Sequence, residues 1–347
     1  MATLAPPLAA VRTAVRRALA VVPAPVAGPA GQRPLALVAC SGGADSLALA
    51  AATGFVAPRA GWRAGLLTVD HGLQDGSHER AEAVAAWARG TGLAPVEVLR
   101  VQVAGRPGGP EAAARDARYQ ALAAAATRSE AAAVLLGHTR DDQAETVLLA
   151  LARGAGPRGL AGMPASRTRG EVVWLRPLLA TPRARTRAAC AALGLEAWED
   201  PHNTDPAYAR ARIRLTALPA LVDALGDRVV DNLARTAGLV AGDNAALDEW
   251  ATRALAGARG HDGSLAVAAL RELPDAVRTR VLHAWARGLG APGGALSHRH
   301  VAAMDALVTD WKGQGPTHLP GGRTVRRRAG RLWAALPGGG ATAECQV

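Results

Sequence analysis

Leu35-Ala36-Leu37-Val38-Ala39-Cys40-Ser41-Gly42-Gly43-Ala44-Asp45-Ser46-Leu47-Ala48-Leu49-Ala50 decides the fold of this chain. The run as far as Cys40 is apolar without a break, the pattern of a parallel strand buried on both faces. The run from Leu47 has the composition of a helix. Between them the glycine-rich residues 41–46 turn the chain from strand to helix. Gly42 and Gly43 have no Cβ to hold a ligand off the backbone. Free N–H groups at the helix start, the helix dipole and two flanking hydroxyls favour an anion such as phosphate. Asp45 is the exception, because a carboxylate repels phosphate. It suits the turn if it holds Mg²⁺ against that phosphate, or if it handles a cationic second substrate.

Working outward, apolar runs predict further strands over 64–69, 95–103, 132–136 and 172–175. Helical patterns predict helices over 8–20, 76–89 (with Ser77 as cap), 111–128, 139–153 and 183–193. Strands that alternate with helices call for an α/β fold, here a doubly wound parallel five-stranded sheet covered on both faces. In such sheets ligands bind beyond the carboxyl ends of the strands. The chemically rich residues fall there: 41–46 after the first strand, Asp70-His71 after the second, Gly137-His138 after the fourth. Beyond about 215 the pattern is helical only, over 217–222, 228–256, 274–289 and 297–311 with Ser297 as a cap. Leu319-Pro320-Gly321-Gly322 then leads into a small hairpin over 323–336. The expected organisation is a leading helix and connector (1–34), a nucleotide-binding catalytic domain (35–214) and a smaller, mainly helical domain (215–347) that contacts a polyanion.

The net charge supports that partner. The 347 residues hold 40 Lys+Arg against 29 Asp+Glu, a balance of +11, and Lys312 is the only lysine. Arginines cluster at 167–187 and at 323–331, as expected of a nucleic-acid surface. Cys40, Cys190 and Cys345 are scattered, which points to a reducing, cytoplasmic setting without a disulfide framework or zinc site. No run is long and apolar enough to span a membrane, so no membrane partner is expected. Arg12, Arg16 and Arg17 lie among alanines near the start, but no apolar core leads to a cleavage site, so a short helix is the better reading.

Two common nucleotide motifs are excluded. Gly154-Ala155-Gly156-Pro157-Arg158-Gly159 has the spacing of a dinucleotide fingerprint, but a helix precedes it and Pro157 interrupts it; it reads as a glycine loop beside the site. A Walker loop needs a lysine that is absent. The segment from Gly137 to Thr146 is denser in chemistry. On a helix Asp141, Asp142 and Glu145 share a face by i,i+3 and i,i+4 spacing. First-turn carboxylates serve as helix caps worth roughly 0.3–1 kcal/mol each. Val147, Leu148 and Leu151 supply the buried stripe, however, which leaves His138 and the acids to face the strand ends. Their mutual repulsion calls for a cation, either a metal or a substrate amine. Glu111, Arg115, Arg118 and Tyr119 share another helix. Residues 200–214 have linker composition, yet they carry Arg210, Arg212 and Arg214. His298 and His300 read as a solvated helix start rather than a metal site.

The Ser-Gly-Gly-x-Asp-Ser turn resembles the PP-loop of ATP pyrophosphatases, which cleave ATP between the α- and β-phosphates and adenylate a substrate oxygen. Further motifs follow in order: Asp70-His71-Gly72-Leu73, Glu111-x-x-x-Arg115-x-x-Arg118-Tyr119, Leu136-Gly137-His138-Thr139-x-Asp141-Asp142-x-x-Glu145-Thr146, Arg153-Gly154-x-Gly156-x-x-Gly159-Leu160-x-Gly162-Met163, Arg176-Pro177-Leu178 and the 200–214 segment. The set resembles the tRNA(Ile)-lysidine synthetases, closely over about 35–215 and more loosely to about 336.

The resemblance implies a ligase that uses ATP and Mg²⁺. It adenylates O2 of the wobble cytidine of a CAU-anticodon tRNA(Ile), and the ε-amine of free L-lysine then attacks C2. It implies catalytic roles for Asp45, His138, Asp141, Asp142 and Glu145, since the amine, with a free pKa of about 10.4, must lose a proton. ATP would be bound by Ser41, Gly42, Gly43, Ala44, Asp45, Ser46, His71 and Arg115, with Asp45 toward Mg²⁺. The RNA would meet Arg210, Arg212, Arg214, Arg326 and Arg327. Two positions depart from the pattern: His202 stands where serine is usual and Ala211 where asparagine is common. The sequence stops at 347, so the extra C-terminal domain of longer members is expected to be missing or reduced. A tRNA thiolation enzyme on the same loop is the nearest rival, but the cysteines lack C-x-x-C spacing. A binding module without catalysis is the other, and would not need the acids around 138–145. Oligomeric state stays open, with a homodimer one option.

Overall fold

Residues 5–22, 33–70, 72, 76–102 and 110–335 are described by the computed structural model, with the side chains of 110–112 and 202 excepted. His71, the connector after residue 22, Cys345 and the side chains of Glu111 and His202 therefore lie outside the described residues. The chain divides into two compact units, Met1–Ala241 and Gly242–Val347; the sequence pattern had placed its change of character at 214/215.

In the first unit the elements run α1 (Pro6–Ala20), β1 (Leu35–Ala39), α2 (Ala44–Arg59), β2 (Arg63–Asp70), α3 (Ser77–Gly90), β3 (Val96–Arg100), α4 (Pro110–Arg128), β4 (Ala133–Leu136) and α5 (Arg140–Ala152). They continue with α6 (Pro157–Leu160), β5 (Ser166–Arg169), β6 (Val172–Leu175), α7 (Arg183–Ala192), α8 (Ala209–Arg212), a π-helical turn (Ile213–Ala217), α9 (Leu218–Leu225) and α10 (Val229–Ala258), within which the units divide. The sheet has six strands in the order β3-β2-β1-β4-β6-β5. Its first five are parallel, as the alternation of strands and helices requires. β5 is an addition to the expected five: it pairs antiparallel with β6 at the edge. All four of its residues are exposed, so it carries no hydrophobic alternation from which to read it.

Period-two geometry sorts β1 between two cores. Ala36 and Val38 face a cluster with Val11, Val15 and Leu19 of α1, Leu49 and Val56 of α2, and Ala189 and Cys190 of α7. Leu35 and Leu37 face the other cluster, with Leu122, Ala125 and Ala126 of α4 and Trp174 of β6. A fully buried leucine of this kind contributes about 1.5–3 kcal/mol. The central strand is thus fixed from both sides, and the turn that follows it inherits that rigidity.

Three details differ from expectation. Gly76 rather than Ser77 sits at the N-cap of α3, and the Ser77 hydroxyl instead donates to Asp70 at 2.6 Å. Leu151 is 51% exposed, so Val147 and Ala144 form the buried face of α5 without it. Beyond residue 241 the chain is not helical alone before its hairpin. α11 (Val267–Arg271), α12 (Asp275–Gly288) and α13 (His298–Thr309) accompany a four-stranded antiparallel sheet of order β7-β10-β9-β8. Its strands are β7 (Leu265–Ala266), β8 (Thr317–Leu319), β9 (Arg323–Arg328) and β10 (Arg331–Ala335), and β7 and β8 are too short to leave a periodic signal.

The second unit has its own core, built from Val281, Leu282 and Trp285 of α12, Met304 and Leu307 of α13, and Val325 and Leu332 of the hairpin. Arg278, 6% exposed, ties α12 to α13 through Asp305 at 2.6 Å. Ser297 and His300 cap α13 reciprocally, so His300 has a structural duty at that helix start. Among the described residues, no helix is long and apolar enough to cross a membrane.

Candidate active site

The turn after β1 is built as its sequence suggests. Gly42 has φ +84°, the left-handed region that favours glycine, and Gly43 is the extended N-cap of α2. No side chain caps that helix. Ser46 Oγ accepts from the Ser41 amide at 3.2 Å and donates to the Gly43 carbonyl at 2.9 Å, closing the turn on itself. The loop after β4 lies directly against it: a Cβ on Gly137 would come within 3.2 Å of Ser46 Cα and 3.3 Å of Ser46 N. The N–H groups at the start of α2 remain available to a phosphate.

α5 starts at the same sheet edge. Thr139 is its N-cap in a reciprocal capping box, in which Asp142 Oδ2 accepts from the Thr139 amide at 2.7 Å and from its hydroxyl at 2.8 Å. Asp141 caps a different helix: its Oδ2 accepts from the Arg183 amide at the start of α7 at 2.8 Å. The capping reading of these two acids is therefore correct, and it is not the whole of their role. Asp142 Oδ1 also receives Arg183 Nη2 at 2.6 Å, and the same nitrogen reaches Glu145 Oε1 at 3.1 Å. Glu145, fully buried, takes Arg214 Nε on Oε1 at 2.8 Å and Arg214 Nη2 on Oε2 at 3.1 Å. Asp45 joins the cluster from the turn. Its Oδ2 lies 3.8 Å from Arg183 Nε, and its Oδ1 accepts from the Thr186 hydroxyl.

The cation that the acid cluster demands is thus supplied from within, by two guanidiniums. Burial alone would raise the Asp142 carboxyl, but Arg183 and the Thr139 amide outweigh it and hold it below the usual carboxylate range. Asp45 goes the other way. Burial and the charge of Asp142 raise it, against the opposing pull of Thr186 and Arg183. Asp45 is therefore readier than Asp142 to take up a proton.

His138, at the end of β4, is held neutral. Burial lowers its pKa to about 3; Asp142 opposes the shift, and the positive charges of Arg176, Arg118 and Arg115 reinforce it. Beside it stands a basic cluster. Arg115 and Arg118 of α4 sit 5.0 Å and 5.6 Å from the Tyr119 ring centroid. Burial raises the Tyr119 hydroxyl, but these two guanidiniums outweigh it and pull it down. Arg210 adds its charge to the same neighbourhood and helps lower Arg118, whose main cause is burial.

The structure thus brings together Asp45, Asp141, Asp142, Glu145 and Arg214, with His138 joined to them electrostatically. Arg212 does something else: it folds its own segment, donating to the Pro206 carbonyl at 2.6 Å and the Ala207 carbonyl at 2.9 Å. In the second unit Arg326 is exposed, while Arg327 donates to the Leu307 carbonyl at the end of α13 at 3.0 Å. Gln143 was missed as a positioning residue. Its carboxamide exchanges hydrogen bonds with Met163 N and O at 2.8 and 3.0 Å and pins the glycine loop to α5. Arg183 and Thr186 were missed as well. The only sequence signal for Arg183 was membership of the arginine cluster at 167–187, and Thr186 had none.

Magnesium meets a limited donor set. Among the described residues no group of three or more His, Cys, Asp or Glu could hold a metal. Asp45 offers one carboxylate, which suits an ion that keeps its waters and takes its other ligands from substrate phosphates. Cys40 and Cys190 are free and buried, and burial pushes the Cys40 thiol up, away from the thiolate that sulfur chemistry needs.

A family model of the PP-loop domain matches residues 15–221, and one of the TilS substrate binding domain matches residues 265–333. The tRNA(Ile)-lysidine synthase of Salinispora tropica is 69% identical over 338 residues, covering 97% of this chain and 99% of that protein. The synthase of the same name from Streptomyces coelicolor is 59% identical, covering 86% of this chain and 84% of its own length. That from Thermobifida fusca is 55% identical, covering 94% and 97%. Among solved structures, a U34-tRNA thiolase NcsA from Methanococcus maripaludis with its [4Fe-4S] cluster superposes with a TM-score of 0.52 at 15% identity, over 68% of this chain and 80% of that one. That likeness is one of fold alone.

Proposed function

This chain belongs to the tRNA(Ile)-lysidine synthase family, and from that premise we propose how its residues share the work of the reaction. It is an ATP-dependent ligase that forms lysidine on tRNA(Ile). The substrates are ATP, free L-lysine and the wobble cytidine of a CAU anticodon. One observation carries the division of roles. Arg183 lies within 3.8 Å of Asp45 of the glycine turn and within 3.1 Å of both Asp142 and Glu145 of α5, so the anion cradle and the acid cluster are one site.

In the first step cytosine O2 attacks the α-phosphorus of ATP and pyrophosphate leaves. The N–H groups at the start of α2 hold the departing phosphates, and Arg115 offsets charge on the nucleotide. Asp45 is the residue that would hold a nucleotide-borne Mg²⁺, which when bound neutralises triphosphate charge. His138, neutral, offers a hydrogen bond to the uncharged base and no acid.

In the second step the lysine amine attacks C2 and AMP leaves. Asp142, held anionic by Arg183, and Glu145, paired with Arg183 and Arg214, fix these two guanidiniums beside Asp45, which is left to meet the lysine ammonium. Asp45 accepts its proton once pyrophosphate has gone, because burial has already raised its proton affinity. Asp45→Ala and Glu145→Ala should each lower tRNA-dependent lysine incorporation by about 100-fold or more. Full incorporation by both variants would overturn the assignment.

A further inference from the structure

The second cluster of the first unit has no role yet beyond Arg115. Alternation along β5 puts Arg167 and Arg169 on one face of the exposed edge strand. Together with Arg115 and Tyr119 of α4, Trp174 of β6 and the adjoining Arg176, they line a cavity of about 130 Å³. Among the described residues Asp116 is its single carboxylate. The Arg169 guanidinium lies 5.4 Å from the Tyr119 ring centroid and 5.9 Å from that of Trp174. The two rings are 5.4 Å apart and brace one another.

Arg176 Nη1 donates to the Pro164 carbonyl at 2.9 Å, but two other donors here are unpaired. Trp174 is 2% exposed and Arg176 9%, yet Trp174 Nε1 and Arg176 Nε have no hydrogen-bond partner among the described residues. A buried donor left unpaired costs about 1–3 kcal/mol, and two in one cavity mark a place for something that accepts. Burial lowers Arg176, and the nearby charges of Arg115 and Arg167 add to that against the opposing pull of Tyr119; an anion would relieve what remains. The cavity is far smaller than the roughly 300–1,000 Å³ that takes a whole small molecule, so it suits one group of a larger ligand. Apart from Arg115, which serves the nucleotide, three guanidiniums, planar and forked, match a phosphate.

The position of the cavity selects the source of that phosphate. The ATP turn follows β1, whereas Arg167 and Arg169 belong to β5, three strand spacings away in the sheet order, or about 14 Å. The edge strand that carries them faces solvent, where an extended polyanion can lie. We propose that this cavity is a subsite for a backbone phosphate of the tRNA strand near the modified base, with Arg167 and Arg169 as its outer clamp. The proposal rests on the tRNA reading above.

The test compares the full chain with its Arg167→Gln/Arg169→Gln double variant. Binding of a CAU anticodon stem-loop RNA is measured against salt concentration without ATP, and binding of ATP is measured without RNA. Loss of the clamp on this one phosphate should weaken RNA binding at least tenfold at low salt and make the log–log salt slope shallower by about 0.7. ATP affinity should not change. Arg169→Lys, which keeps the charge and loses the fork, should fall between, so an intermediate value separates lost recognition from lost fold. Unchanged RNA binding with weakened ATP binding would make this a nucleotide site and overturn the proposal, as would no change in either. RNA binding by the wild-type chain without lysine incorporation would refute the ligase reading and leave this comparison intact.

Discussion

Replacing Arg183 with Met tests whether the acid cluster is held together as described. In the native site one Arg183 nitrogen lies 2.6 Å from Asp142 and 3.1 Å from Glu145, and their side chains are 14% and 0% exposed. Removing one partner of a buried ion pair costs about 3–5 kcal/mol, because the other charge stays buried. Arg214 remains, at 2.8 Å from Glu145 and 3.4 Å from Asp142, so the lower end applies, about 3 kcal/mol at pH 7. The pH dependence follows from the direction of the Asp142 shift. A carboxyl held below its ordinary value contributes stability above the unfolded pKa, and this is lost as pH falls through the folded value. Arg183→Met removes the cause of that depression, and protonation then relieves the variant's surplus negative charge. The gap between wild type and variant should therefore narrow as pH falls from 7 toward 4. Urea unfolding followed by circular dichroism at pH 7, 5 and 4 measures it. A loss below about 1 kcal/mol, or one that stays constant across this range, would refute the reasoning.

Two further outcomes follow from the same geometry. His138 titrates near 6.5 when unfolded and near 3 when folded, so between these values only the unfolded chain binds its proton, and stability present above pH 6.5 is lost as pH falls. The loss reaches about 2 kcal/mol by pH 5, and His138→Asn should abolish it; identical pH profiles by urea unfolding would contradict this. Gly137→Ala places a Cβ 3.2 Å from Ser46 Cα, against backbone that cannot swing aside. The KM for ATP should rise at least tenfold while stability falls by about 1–3 kcal/mol, and an unchanged KM would show that the turn tolerates displacement.

How much of this could be read in the sequence depended on the range of the interaction involved. Four of the five parallel strands, β1, β2, β4 and β6, were legible because their apolar runs record burial on both faces, and β3 by its β-branched residues and place in the alternation. The position of residues 41–46 and 137–146 at one sheet edge followed from topology. β5 was not legible, since Ser166, Arg167, Thr168 and Arg169 are all exposed and leave no alternation. Asp142 and Glu145 stood out by helical spacing, but their partners did not: Arg183 and Arg214 approach from 38 and 69 residues beyond Glu145. The repulsion among the acids called for a cation, which the sequence reading took to be a metal or a substrate amine. That the cation is mostly arginine is a fact of tertiary packing. Arg214 reaches Glu145 from a π-helical turn, Ile213–Ala217, a local widening common at functional sites and invisible in composition. Asp141 and Asp142 illustrate a general difficulty. A carboxylate in a first helical turn serves as a cap and as site chemistry at once, and only its second oxygen shows which other duty it has.

The most direct test of the central claim, that the glycine turn and the acid cluster form one ligase site, is a product measurement. The full chain is incubated with ATP, labelled L-lysine and a CAU-anticodon tRNA(Ile) transcript, and AMP, pyrophosphate and RNA-bound lysine are quantified together. The account predicts AMP and pyrophosphate in equal amounts, each matched by lysine on the RNA, with none of the three when the wobble cytidine is replaced by uridine. Release of ADP and phosphate, or AMP release with no lysine on the RNA, would contradict it.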